Sequence, residues 1–145
     1  DCMPIFVVCP KPKIAALLHS GWKGLEQGIT EKVIDRFIKK FDANMSNIFV
    51  FVGPHINKEC YEVSDEFKKY FEVEEIFKSG EKKYYLDMQK NLEKRLLKIG
   101  FKKENLKKTE LCTICNNGDF YSYRKDNQTN DRMLSGLKIN RGVKS

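Results

Sequence analysis

Histidine is scarce in this chain: His19 and His55 are the two imidazoles in 145 residues. A multicopper centre built on imidazole needs many, so this count speaks against one. No apolar run approaches the roughly 18 residues of a membrane-spanning helix, and no membrane partner is expected. No positive leader followed by an apolar segment and a small-residue cleavage site opens the chain, so a cytoplasmic location is expected. The five cysteines are odd in number and too sparse for a disulfide scaffold, which makes reduced thiols the expectation. No internal repeat and no linker interrupt the sequence, so residues 1–145 read as a single domain. Lys and Arg outnumber Asp and Glu by 27 to 20. They are scattered as pairs such as Lys68-Lys69 and Lys107-Lys108 and form no block of five. A nucleic-acid partner is therefore not expected, although a positive surface favours phosphate or a phosphorylated substrate.

Against these absences stand 41% hydrophobic and 32% charged residues, the balance of a folded domain with a core. The reactive residues that draw attention first are Cys2 and His19. Cys2 opens an apolar strand running through Ile5 to Val8. His19 closes another, Ile14 to Leu18. Pro10-Lys11-Pro12-Lys13 between them is a turn, which predicts an antiparallel hairpin. That geometry makes Cys2 and His19 neighbours. A thiol beside an imidazole is a nucleophile with its base, two ligands of a soft metal, or a pair of structural residues. The glycines of Ser20-Gly21-Trp22-Lys23-Gly24 allow close backbone approach to a ligand, and Trp22 can wall a pocket.

Asp1-Cys2-Met3-Pro4-Ile5 and His19-Ser20-Gly21-Trp22-Lys23-Gly24 resemble two motifs of the YfiH-like family, also called the laccase-domain family. Gly53-Pro54-His55-Ile56 with Cys60-Tyr61-Glu62-Val63 is similar to a third. Cys112-Thr113-Ile114-Cys115, then Phe120 to Asp126 and Arg132-Met133, is similar to its close. The resemblance implies an α/β fold with sheets sandwiched between helices. It implies zinc held by two His and one Cys, with Cys2 and His19 as two of the ligands. The third ligand His lies upstream in the family and is absent from these residues. The stretch is therefore expected to be the C-terminal portion of a longer chain. The activity implied is on purine nucleosides: phosphorolysis of adenosine or inosine, with adenosine deamination beside it. Polyphenol oxidation is an older label of the family.

The remaining pattern predicts mixed α/β structure. Apolar residues at helical spacing predict a helix over 25–41 and another over 88–99, the latter capped by Asp87 and stopped by Gly100. A third helix follows Ser64. The apolar run 48–52 predicts a strand buried on both faces. Further strands are expected near 61–63, 84–86, 108–111, 120–123 and 133–139. Residues 72–83 read as a surface connection and 141–145 as a loose tail.

The favoured reading is a zinc-dependent purine nucleoside enzyme with a nucleoside and phosphate as partners. Cys2 and His19 are the catalytic and metal residues. Lys23, Gly53, Pro54, Tyr61, Thr113 and Arg124 are candidates for the substrate pocket. Arg124 suits an oxyanion by its planar fork, a property Lys23 lacks where the family carries Arg. Cys112-x-x-Cys115 lacks a second Cys-x-x-Cys, so it reads as two loop thiols rather than a structural zinc site. His55 reads as a loop residue. Copper ranks below zinc. The alternatives are a metal-free Cys-His hydrolase, a laccase-like polyphenol oxidase, and a non-catalytic interaction domain.

Overall fold

The computed structural model describes residues 1–79 and 83–140. The elements run β1 (Met3–Cys9), β2 (Ile14–Ser20), α1 (Trp22–Glu26), α2 (Ile29–Phe41), β3 (Phe49–Val52) and β4 (Glu62–Val63). There follow β5 (Ile76–Ser79), β6 (Lys83–Leu86), α3 (Met88–Lys98) and β7 (Leu106–Lys108). One sheet has the order β2-β1-β3-β7, and a smaller one has the order β4-β6-β5. β1 is antiparallel to β2 and β3, while β3 and β7 are parallel, so the larger sheet is mixed. The fold is the mixed α/β type that the sequence predicts.

β1 is a strand because its apolar residues alternate. Met3, Ile5, Val7 and Cys9 are buried, and Pro4, Phe6 and Val8 between them point to the other face. The inner face packs in one core with Ile34 and Phe37 of α2 and with Leu92 and Leu96 of α3. Each such side chain taken fully out of water stabilises the fold by about 1.5–3 kcal/mol. The hairpin register pairs Met3 with Ser20 and Pro4 with His19.

The predicted helix over 25–41 is two helices. Gly28 sits at φ 69°, in the left-handed region, and turns the chain between α1 and α2. Arg95 of α3 reaches the same turn and pairs with Glu31. β3 is not buried on both faces: Val50 and Val52 are inside, but Phe51 is 43% exposed. Phe51 lies opposite Phe6 in the register, on the outer face of the sheet. Apolarity alone could not show that Phe51 is left exposed on this face. The segment after Ser64 is a 3₁₀ helix, Asp65–Lys69, with no side-chain cap. The charged stretch read as a connection contains β5, which Ile76 anchors in the core. α3 starts as predicted, with Asp87 Oδ1 accepting from Lys90 N at 2.9 Å.

The two strands predicted near 120–123 and 133–139 do not form. Residues 113–119 and 123–128 are turn, and 131–140 are irregular. Hydrogen bonds to side chains hold the turn region in place of a ladder. Asp126 Oδ2 accepts from Ser122 N at 2.8 Å, and Asn117 Nδ2 donates to both Asp126 oxygens. The loose tail expected at 141–145 lies outside the described residues.

Candidate functional site

The hairpin puts Cys2 and His19 on the same face of the sheet. Pro4 and His19 are cross-strand partners, and Cys2 lies two residues before Pro4, on its side of the pleat. Cys2 Sγ rests against Gly21, where an added Cβ would lie 2.9 Å from the sulfur. Both Cys2 and His19 line one cleft of about 800 Å³. Among the described residues, no hydrogen bond joins them.

The aromatic wall of this cleft comes from Tyr61 and from Phe120, Tyr121 and Tyr123 of the turn region. Arg124 crosses it. Its guanidinium lies 5.3 Å from the centre of the Tyr61 ring and donates to the Glu62 carbonyl at 2.6 Å. Burial pushes the Tyr61 phenol up to about 12, against the opposing pull of Arg124.

One carboxylate ties these parts together. Asp1 Oδ1 accepts from Thr113 Oγ1 at 2.6 Å and from Ser122 Oγ at 2.8 Å. Its Oδ2 accepts from the Arg124 backbone N–H at 2.8 Å. Thr113 and Ser122 are wholly buried, so these bonds fix the approach of two loops to the start of β1. Pro54, Tyr61 and Arg124 line the cleft directly. Thr113 stands behind it through Asp1. Gly53 stands behind Pro4: it donates to the Pro4 carbonyl, and a Cβ there would meet Pro4 Cγ at 2.8 Å. Lys23 lies over the Trp22 ring, 5.5 Å from its centre. His55 is buried, donates through Nδ1 to the Gly53 carbonyl at 2.9 Å, and has its pKa lowered by burial. It lies in the loop after β3, outside the named strands.

The metal-capable group lies elsewhere. Among the described residues, three ligating side chains converge at Cys60, Cys112 and Cys115, with all three sulfur atoms within 4.8 Å of one another. Cys60 Sγ and Cys115 Sγ are 3.5 Å apart. Cys112 is held at the base by an isolated parallel bridge to His55, and its sulfur accepts from Asn57 N at 3.4 Å. Burial by itself would raise the Cys112 thiol. The N–H groups of Asn57, Cys115 and Ile114 around its sulfur outweigh that and lower it. Cys60 is pushed up to about 12 by burial and by the neighbouring thiols. Cys2 and His19 belong to no such triad among the described residues.

Comparison with known proteins completes the picture. The sequence model of the family described as multi-copper polyphenol oxidoreductase laccase matches residues 1–140. A purine nucleoside phosphorylase of Clostridium acetobutylicum is 34% identical over 145 residues, 93% of this chain and 58% of that protein. The chain thus spans little more than half the length of this relative. The crystal structure of Bacillus licheniformis hypothetical protein YfiH superposes with a TM-score of 0.81 at 26% identity, covering 88% of this chain and 51% of that one. YlmD from Geobacillus stearothermophilus gives a TM-score of 0.80 at 29% identity, over 89% of this chain and 50% of that one.

These findings correct the expected zinc-dependent nucleoside chemistry and the ranking of zinc above copper. The converging donors are three thiols, and the matched family is one of copper oxidoreductases, so both point to a copper-type site. A count of imidazoles alone misses the thiols as copper ligands. Thiolates are soft donors that suit Cu(I), so a chain with two histidines still offers copper a site. Cys60 was the residue missed. The Cys112-x-x-Cys115 spacing was the available signal, and its partner lies 55 residues before Cys115.

Proposed function

We propose, since the chain belongs to the multi-copper polyphenol oxidoreductase laccase family, that it supplies a copper-type thiolate site and an aromatic-walled cleft to an oxidoreductase acting on small phenols. The observation that carries this reading is the convergence of the Cys60, Cys112 and Cys115 sulfurs within 4.8 Å. Three thiolates and no carboxylate make a soft donor set, which fits copper in its reduced state. Bound there, copper would supply one-electron redox chemistry.

The chain's own side chains supply binding and proton handling. Phe120, Tyr121 and Tyr123 offer flat faces to an aromatic ring. His19, exposed at the cleft edge, is placed to accept a hydroxyl proton from such a ring. Arg124, braced on Tyr61 and Glu62, presents its remaining N–H groups to an oxygen substituent. Cleft and thiols are joined at two places: Thr113 follows Cys112 in the chain and bonds the Asp1 carboxylate at the cleft, and Tyr61 of the cleft wall follows Cys60.

The test uses the full-length protein loaded with copper and supplied with catechol and oxygen. Oxygen uptake that falls at least about 100-fold in Cys112→Ser supports the reading, by analogy with the loss that even outer-shell changes bring to metal sites. Equal uptake in wild type and variant refutes it.

The names of relatives favour a second reading of the cleft alone. The Clostridium acetobutylicum protein is called a purine nucleoside phosphorylase, which supports a nucleoside-type small molecule as the ligand. A purine ring fits the same aromatic wall. Titration calorimetry of the full-length protein with inosine tests this, and Tyr123→Ala should weaken binding by about 1–3 kcal/mol of stacking. No heat of binding at millimolar inosine would count against it.

A further inference from the structure

We infer that Cys60 and Cys115 are a reversible disulfide pair whose closure removes the thiol cluster's capacity for metal. The inference rests on the copper-type reading of that cluster and adds its regulation. The three cysteines are not equivalent. Cys115 is exposed and Cys60 is half-buried, so an oxidant meets them first. Cys112 is buried, bridged to His55, and engaged by the Asn57 N–H. Its movement would break those bonds.

The Cys60 and Cys115 sulfurs already stand 3.5 Å apart, and both residues lie in turns. Bond formation needs closure to about 2.05 Å, a small shift for turn backbone. The nearer partner in sequence, Cys112, is thus the less available one for Cys115.

The chemistry is exchange with a low-molecular-weight disulfide such as oxidised glutathione. The Cys115 thiolate attacks one sulfur, forming a mixed disulfide and releasing one small thiol. Cys60 then gives up its proton, and its sulfur attacks the Cys115 sulfur and releases the second small thiol. Two protein thiols are oxidised and one small disulfide is reduced to two thiols. A dithiol reductant reverses both steps. Closure leaves Cys112 as the single remaining thiolate, too few to hold a soft cation tightly.

The experiment treats full-length protein with oxidised glutathione, alkylates it, and maps peptides without reduction. Cu(I) affinity is measured by competition with a chromophoric Cu(I) chelator before oxidation, after it, and after dithiothreitol. The expected result is a Cys60–Cys115 linked peptide and a Cu(I) affinity lowered by at least about 100-fold, restored on reduction. Cys112→Ser should still form the linked peptide. A Cys112–Cys115 link instead, or Cu(I) affinity indifferent to oxidation, would overturn the inference. If the Cys60–Cys115 peptide forms in protein that never takes up Cu(I), the copper reading of the cluster falls and this inference falls with it in its metal part. If Cu(I) binds and no linked peptide forms, this inference alone falls.

Discussion

Two clusters of reactive side chains lie in this molecule, and they are built by opposite means. Cys2 and His19 are placed by a hairpin whose register is set by seven consecutive pairs, Met3↔Ser20 to Cys9↔Ile14. That both line one cleft follows from a short turn and the two-residue period of a strand. Among the described residues, Cys60, Cys112 and Cys115 are placed by loops whose one ladder contact is the bridge His55↔Cys112. Their proximity depends on every element between residues 60 and 112 folding back correctly. The local pair gives a surface at a cleft. The long-range triad gives converging donors. A strand pair fixes alternation but holds side chains in a row, whereas two loops can aim three ligands at one point.

The comparison is most strongly exposed by damage to its frame. Ile5 is fully buried in the middle of β1. Ile5→Ala should destabilise the fold by about 2–5 kcal/mol, the range for removing such a side chain from a packed core. Urea unfolding measures it. A loss below about 1 kcal/mol would mean that the hairpin is not the frame for the cleft. Next in size is a contrast between the clusters. In the full-length protein, Cys112→Ser should weaken Cu(I) binding at least about 100-fold, while Cys2→Ser should change it by less than about threefold. Chelator competition decides this. The reverse ranking would move the metal to the hairpin.

The same contrast explains what could be read from the sequence. The hairpin, the cap at Asp87 and the α2 and α3 faces were legible because each depends on residues a few positions apart. The break at Gly28 was missed because the apolar spacing runs on across it, and only the backbone angle shows the turn. The exposed face of β3 was missed because burial depends on what lies over Phe51, not on Phe51. Residues 120–123 and 133–139 have strand-like composition but find no partner strand, and carboxylates hold the former region instead. Of the candidate site, the hairpin that brings His19 opposite Pro4 and so into the cleft beside Cys2 was legible from the turn and the strand period. The thiol triad needed a contact across 55 residues, which no local pattern encodes.

A smaller effect separates burial from hydrogen bonding as the means of fixing the cleft wall. The Tyr61 phenol is raised from 10.0 to about 12, chiefly by burial. The folded state therefore keeps a proton that the unfolded chain releases first. Stability from this group is present below the ordinary tyrosine pKa and is lost as pH rises from about 10 towards 12. The loss should amount to about 2 kcal/mol, with Tyr61→Phe free of it. Urea midpoints measured across that range test this. An unchanged slope in Tyr61→Phe would assign the alkaline loss to another group.

The smallest expected effect is local and acts on the turn region alone. Asp126 accepts from Ser122 N and from Asn117 Nδ2, and these bonds, the backbone one first, hold its carboxyl below the ordinary Asp value. In acid the unfolded segment therefore binds a proton more readily than the folded one. The stabilisation is complete above the ordinary Asp pKa of about 3.9 and is lost as pH falls through the lower folded value. The hairpin depends on no such carboxylate: its ladder is backbone paired, and its inner face is apolar. Acidification should then loosen residues 117–126 while β1 and β2 stay closed. Amide exchange followed by mass spectrometry at pH 6 and pH 3 reads both regions in one sample. Protection of the Ser122 and Asp126 amides should drop several-fold after correction for intrinsic rates, with the Ile5 and Leu18 amides unchanged. Asp126→Asn should show lowered protection at both pH values, because an amide offers one oxygen where the carboxylate offers two. Loss of protection in both regions at the same pH would show that they open as one unit, and that the two means of construction do not give two stabilities.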